Sequence, residues 1–237
     1  MAAIAAPRAG EPVRLRIGWG TPPPTELMPV FLAPGVARHN GVSYIVEAKH
    51  FRAATLQTMA MANSEIDIAL LPSTVFGFAI ENAGLKDLRF ITDEFMDGVH
   101  GNFSSQFMTL DSSPIKTVED LKGKVIATNA LGGPGDLIIR TMLRAHHLEY
   151  KRDYTVLEAV FSTMQPRLFG HKADLVMITQ PYYDDPVLRR NARTLFSTET
   201  AVGPIDMILW VARQGFITAH RAAIIDLLED YVRAVHW

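Results

Sequence analysis

Hydrophobic and polar positions alternate over residues 13–19, where Val13, Leu15 and Ile17 are separated by Arg14 and Arg16, and a glycine- and proline-rich stretch follows at 18–24. Period-two alternation predicts a half-buried strand, and the breakers behind it predict a βα loop. Residues 27–38 return to near-helical spacing, but Pro29 and Pro34 make that helix short or irregular. A second strand is predicted at 42–51, then a helix of Ala, Leu, Gln and Met at 53–62. The apolar run 66–71, with Asp67 near its start and Pro72 behind it, has the unbroken hydrophobicity of a strand covered on both faces. Ser73 stands as the cap of a helix at 75–83 that Gly84 ends. Strands are predicted at 88–95 and 106–110, and the glycine-rich DGVHGN between them, at 97–102, is a hinge candidate.

The second half predicts a short helix at 117–121, a strand at 124–128 and a helix at 134–146, introduced by Gly132 and Gly133 with Asp136 as a possible cap. The strand, helix, strand order then recurs at 155–161, 163–170 and 175–179. SEIDIALLPSTVF, with Asp67, and HKADLVMITQPYY, with Asp174, share an acidic residue opening an apolar strand that ends near a proline. They lie too far apart for a solenoid period and suit two domains of similar architecture. Beyond Asp185 come a basic turn (Arg189, Arg190, Arg193), a strand at 194–197 and an apolar run at 207–212. An amphipathic helix at 219–237 carries Ala223, Leu227, Leu228, Tyr231 and Val235 on its apolar side. No glycine or asparagine ends it, so the chain is expected to be cut short there.

Composition narrows the classes of function. With 48% hydrophobic and 20% charged residues over 237 positions, the chain is globular and large enough for two small cores. Its 23 basic and 25 acidic residues are scattered, for a net charge of −2, and no basic stripe fits a nucleic acid. The absence of cysteine removes disulfides, thiolate metal sites and a cysteine nucleophile. The first residues, MAAIAAPRAGEP, lack the basic and unbroken apolar regions of a secretory signal, and no apolar run reaches the ~20 residues of a membrane span.

Five predicted βα junctions place small or hydroxyl residues after an apolar strand: Gly18-Trp19-Gly20-Thr21, Phe51-Arg52, Pro72-Ser73-Thr74, the stretch from Leu131 through Gly132 and Gly133 to Asp136, and Thr179-Gln180-Pro181-Tyr182. Ligands of open α/β sheets bind at such carboxyl ends, where helical N–H groups and helix dipoles favour an anion. A hydroxyl there is also an ordinary helix cap. Trp19, Phe51 and Tyr182 suit the walls of a pocket or the packing within a domain, and Arg52 suits a carboxylate or sulfonate. The glycines at 132–135 lack the Gly-Lys-Ser/Thr ending of a phosphate loop. The eight histidines show no metal spacing, and His146-His147 reads as a surface pair at a helix end, so neither a metal nor a cofactor is expected. His100 stands apart, between glycines of the hinge candidate. There is no G-x-S-x-G elbow, and Asp184-Asp185 reads as a helix terminator, so no catalytic residue is assigned.

The stretches MANSEIDIALLPST, SSPIKTVEDLKGKVIATNALGGPGD and HKADLVMITQPYYDD resemble the type II periplasmic solute-binding proteins of the nitrate, taurine and alkanesulfonate group, related to the thiamine-precursor binding proteins. The resemblance runs from Val13 to the C-terminus. It implies an α/β, two-lobed fold, each lobe a mainly parallel sheet flanked by helices, with a flexible segment at 1–12, lobe 1 at 13–98 and 203–237, and lobe 2 at 99–202. It also implies a small anionic or polar ligand (a sulfonate, a nitrate-like anion, a pyrimidine or an aromatic acid) held between the lobes, a monomer, and delivery to an ABC permease. The ligand-binding residues expected by position are Trp19, Gly20, Thr21, Phe51, Arg52, Ser73, Thr74, His100, Gly132, Gly133, Gln180 and Tyr182. The chain departs from the pattern in lacking an export signal and ending early. Its expected location is the periplasm if a signal has been removed and the cytoplasm otherwise. Enzymes share this superfamily; those that use cysteine are excluded by composition, and an aromatic-acid decarboxylase using His100 and Arg52 is the alternative.

Overall fold

The computed structural model describes residues 11–20 and 35–236. Expected features at 1–12 and at 21–34, including Thr21 and most of the 27–38 helix, lie outside the described residues, apart from 11–12 and from 35–38, which form turns and bends. In chain order the elements are β1 (Val13–Trp19), β2 (Tyr44–His50), α1 (Ala54–Ala62), β3 (Ile68–Pro72), α2 (Ser73–Asn82), β4 (Leu88–Asp97) and β5 (Ser105–Leu110). There follow β6 (Val125–Thr128), α3 (Pro134–Ala145), β7 (Thr155–Glu158), α4 (Met164–Phe169), β8 (Leu175–Thr179), α5 (Pro186–Asn191) and β9 (Ala192–Ser197). The last are α6 (Thr198–Val202), β10 (Ile205–Arg213), α7 (Gln214–Ala219) and α8 (Arg221–Val235). Among the described residues no helix is long and apolar enough to cross a membrane.

The chain divides into two compact units, one of residues 1–94 and 208–237 and the other of 95–207, with the divisions falling inside β4 and β10. The first unit has a five-stranded sheet in the order β2-β1-β3-β10-β4, the second a sheet in the order β7-β6-β8-β5-β9. The fold class is the α/β class expected. In each sheet three neighbouring strands run parallel (β2, β1, β3; β7, β6, β8), and one strand, β10 or β5, then runs against them. The central strands β3 and β8 are buried at every residue, which explains their unbroken apolar sequences.

In the first unit Met61, Ile66, Leu71, Val75, Leu88, Leu209 and Val211 pack into one core. In the second, Phe107, Ile126, Ile138, Leu143, Leu175 and Phe196 form a core in which the rings of Phe107 and Phe196 stack 4.5 Å apart, and Met108, Ala127, Met164 and Val176 form another. Each large side chain so buried contributes about 1.5–3 kcal/mol.

The repeated acidic residue has a structural cause. Asp67 donates its backbone N–H to the carbonyl of Arg16 (2.8 Å), and its carboxylate accepts the backbone N–H of Arg16 (3.0 Å) and its guanidinium. Asp174 does the same with Val125: backbone N–H to carbonyl at 2.8 Å, carboxylate accepting the backbone N–H at 2.9 Å. In both units this residue fastens the start of the central strand to its parallel neighbour.

Several helix ends differ from the sequence expectation. Ser73 is the first residue of α2 rather than its cap, which falls on Pro72 without a side-chain bond. The helix expected at 117–121 shrinks to a 3₁₀ turn at Glu119–Leu121, because the Asp120 carboxylate takes the N–H groups of Lys116 (2.8 Å) and Thr117 (2.9 Å). Asp185 opens a helix rather than closing one, accepting from the N–H groups of Val187 and Leu188 at the start of α5. In α8, Val235 is exposed, and the buried face runs through Ala223, Ile224, Leu227, Asp230, Tyr231 and Ala234.

Candidate functional site

In the first unit, β1, β2 and β3 are parallel neighbours, so their carboxyl ends lie along one edge. That edge gathers Trp19, Gly20, Phe51, Arg52, Ser73 and Thr74. The Trp19 ring meets His50 edge-on at 4.8 Å, and the Phe51 N–H donates to the Trp19 carbonyl at 2.8 Å. A side chain at Gly18 would stand 2.7 Å from Ile66, 3.0 Å from the Gln57 Oε1 and 3.2 Å from the Phe51 ring, so a glycine lets these three close over β1. Gln57, absent from the sequence-based set, is 1% exposed. Its Oε1 accepts the N–H of Leu70 at 3.0 Å, whereas its Nε2 and the hydroxyl of Thr74 are buried without a partner. Phe51 also packs against the core, as one of the two readings of its ring expected.

The second unit repeats the arrangement at the carboxyl ends of β6, β7 and β8. Asn129 follows β6 with a buried Oδ1 that has no partner, and Thr179 ends β8 with a buried, unpartnered hydroxyl. Gln180 is exposed, and Tyr182 packs on the core below. The loop at 131–133 behaves differently from expectation. The Leu131 N–H is taken by Glu158 (2.6 Å), that of Gly132 by Asp136 (2.8 Å) and that of Gly133 by the Ala130 carbonyl (3.2 Å). Asp136, 2% exposed and paired with Arg140, thus places an acid at the start of α3, where the sequence suggested a place for an anion. Gly135 is the residue that lets α3 approach: an added side chain would strike Met177 and stand 2.7 Å from the Thr128 hydroxyl.

His100 is exposed, with a left-handed backbone (φ 52°), on the loop closed by Asp97, which accepts from the Ser104 N–H (2.8 Å) and hydroxyl (3.1 Å). Burial raises the Asp97 carboxyl above the ordinary range, with the Ser104 bonds opposing. Gly98 in that loop has φ 99°, and its Cα faces Pro204 so closely that an added Cβ would stand 2.7 Å from the proline ring. Glu94, also missed, carries two buried carboxylate oxygens with no partner, and burial pushes its carboxyl up to about 8. Isolated polar residues in an edge strand give no sequence signal of this kind.

Elsewhere, His39, Asp226 and Glu229 bring a ring nitrogen and two carboxylate oxygens within 4.8 Å of one another, a grouping invisible in sequence because His39 and α8 lie at opposite ends of the chain. These ion pairs accompany the docking of residues 38–44 on α8. A cavity of about 450 Å³ lined by Leu110, Asp111, Phe169 and Arg190 lies at the end of β5. Because β5 runs against β8, this cavity is at the opposite edge from Thr179.

Two α/β units, each with a mixed five-stranded sheet and a polar edge at its strands' carboxyl ends, have the fold of type II periplasmic binding proteins. Residues 96–237, more than half of the chain, match the family described as NMT1/THI5 like, and the chain belongs to that family. The structure resembles the periplasmic aliphatic sulphonate-binding protein SsuA of Escherichia coli (TM-score 0.72, 20% identity, 94% of this chain and 72% of that one). It also resembles alkanesulfonate-binding SsuA of Xanthomonas axonopodis pv. citri bound to MOPS (TM-score 0.73, 20% identity, 94% and 73%). A third is the periplasmic nitrate-binding protein NrtA of Synechocystis PCC 6803 (TM-score 0.72, 12% identity, 96% and 62%). Comparison with curated proteins gives no match.

Proposed function

We propose that this chain is the solute-binding component of an ABC importer, a monomer that holds a small polar organic molecule at the carboxyl-end edges of its sheets and hands it to a permease. The observation that carries this reading is the set of buried polar atoms left without partners at those edges, on Thr74 in one unit and on Asn129 and Thr179 in the other. Folded proteins rarely leave such groups unpaired, and each costs about 1–3 kcal/mol. A ligand that pairs with them recovers that cost on binding. The sulfonate- and nitrate-binding neighbours are binding proteins of the periplasm, which supports the same role and location here.

Thr179→Val tests the reading. It removes an unpartnered hydroxyl while conserving shape, so the ligand-free melting temperature is expected to stay level or rise, whereas affinity for the ligand falls about tenfold, near 1.4 kcal/mol. The ligand is found by thermal shift against sulfonates, inorganic anions, pyrimidines and aromatic carboxylates, with mass spectrometry of each mixture. A compound at ~100 times its dissociation constant adds about 2.7 kcal/mol. Recovery of the stabilising compound intact supports a binder; its consumption shows an enzyme on this fold and directs attention to His100.

A further inference from the structure

Buried carboxylates in this protein are otherwise held. Asp67 grips Arg16, and Asp230 accepts from the backbone of Arg38 and His39 and from the Tyr44 hydroxyl. Glu94 is the exception, with both oxygens sealed from solvent and neither paired.

The register of the first sheet shows which way it points. Leu88, at the start of β4, packs in the core with Val75 and Ala79 of α2. Side chains alternate along a strand, so Glu94, an even number of residues later, projects from the same α2-covered face. The strand β10 runs against β3, with Ala212 opposite Ile68 and Ile208 opposite Pro72, and the Gln214 N–H donates to the Asp87 carbonyl at the start of β4 (2.8 Å). β4 therefore runs in the direction of β3, and Glu94 lies toward the carboxyl-end edge where α2 begins. Thr74, in the first turn of α2, supplies another buried polar atom without a partner. A carboxylate and a hydroxyl at the binding edge, neither answered by the protein, call for hydrogen-bond donors from outside it.

We infer that Glu94 anchors a positively charged or N–H-rich group of the solute, so that the preferred ligand carries an ammonium, an amidinium or an aminated heterocycle rather than being a simple anion. This rests on the solute-binding reading above. The second unit agrees by itself: the start of α3 already holds the Asp136 carboxylate, whose Oδ1 is also buried and unpartnered.

Matched probes test it: taurine against isethionate, which exchange an ammonium for a hydroxyl on one sulfonate, and 4-aminopyrimidine against pyrimidine. Each is titrated by calorimetry into the wild-type chain and Glu94→Gln, on both sides of the Glu94 value of about 8. The ionisable neighbours are few. Tyr231 of α8 is raised by burial and by the charges of Glu94 and Asp93, which keeps its hydroxyl neutral across that range, and Asp97 on the same strand is tied to Ser104.

The expected result is a preference of about tenfold or more for the aminated probe. It should grow as pH rises and disappear in Glu94→Gln. Equal affinities with no effect of the substitution overturn the role of Glu94 while leaving solute binding intact. Tighter binding of the sulfonates at low pH, kept by Glu94→Gln, also overturns it, because the side chain then acts as an acid donating to an anion. If no probe binds either protein, the solute-binding reading falls together with this one.

Discussion

Asp230 shows how a single side chain can fix a long stretch of chain. It lies within α8, fully buried, and its carboxylate accepts the N–H groups of Arg38 (3.0 Å) and His39 (2.7 Å) and the hydroxyl of Tyr44 (2.6 Å), with Arg233 one turn on completing its charge balance. The Tyr44 hydroxyl is correspondingly raised far above the ordinary tyrosine range by burial and by this bond. Removing the carboxylate strands two backbone donors and a buried hydroxyl, so Asp230→Ala is expected to lose on the order of 3 kcal/mol. Asp230→Asn keeps one acceptor oxygen and should lose less. Urea denaturation of the two variants checks this, and equal costs would show that the amide cannot replace the carboxylate's geometry.

At the level of elements, the parts legible in sequence were those whose burial leaves a continuous trace. The strand at 13–19 and the strand at 175–179 agree with expectation residue for residue, because alternation and unbroken apolarity follow directly from one-sided and two-sided cover. The recurrence of Asp67 and Asp174 was legible as a repeat, although its cause, a carboxylate tied to the neighbouring strand's N–H, needs the register to be seen. The edge residues of β1, β2, β3 and β8 were legible because βα junctions announce themselves by small and hydroxyl residues. Gln57, Asn129 and Glu94 were not, since only their unpaired buried atoms distinguish them. Gly132 and Gly133 misled for the same reason: their N–H groups are already taken by Asp136 and Ala130. The glycine that matters for packing is Gly135. Gly135→Ala should push α3 away from β6 and β8 and cost about 1–3 kcal/mol. A melting temperature equal to that of the wild type would show that Met177 and Thr128 yield without strain.

For the molecule as a whole, two sets of carboxyls pull stability in opposite directions along the pH axis. Asp87 beside Arg213, Asp120 beneath the N–H groups of Lys116 and Thr117, Asp153 beside Arg152, and Asp185 beneath those of Leu188 and Val187 are all held below their ordinary range. They stabilise the fold while ionised, and that support is lost as pH falls through their folded values. Glu94 and Asp97 are raised instead, both chiefly by burial. The folded chain keeps the Glu94 proton that the unfolded chain releases near 4.5, so its contribution is complete below that value and is lost as pH rises through about 8. The ligand-free protein should therefore be most stable on the acid side of neutrality. Glu94→Gln does not titrate, so the difference in unfolding free energy between it and the wild type should change by about 1.4 kcal/mol per pH unit across that window. Tryptophan fluorescence is the suitable probe, because Trp19 and Trp210 both belong to the first unit, which also holds Glu94. Parallel stability curves for the two proteins would mean that the Glu94 carboxyl ionises freely within the fold. A donor-bearing solute should then flatten the wild-type curve toward that of the variant, because it answers the same ionised carboxylate that the empty protein can only leave buried.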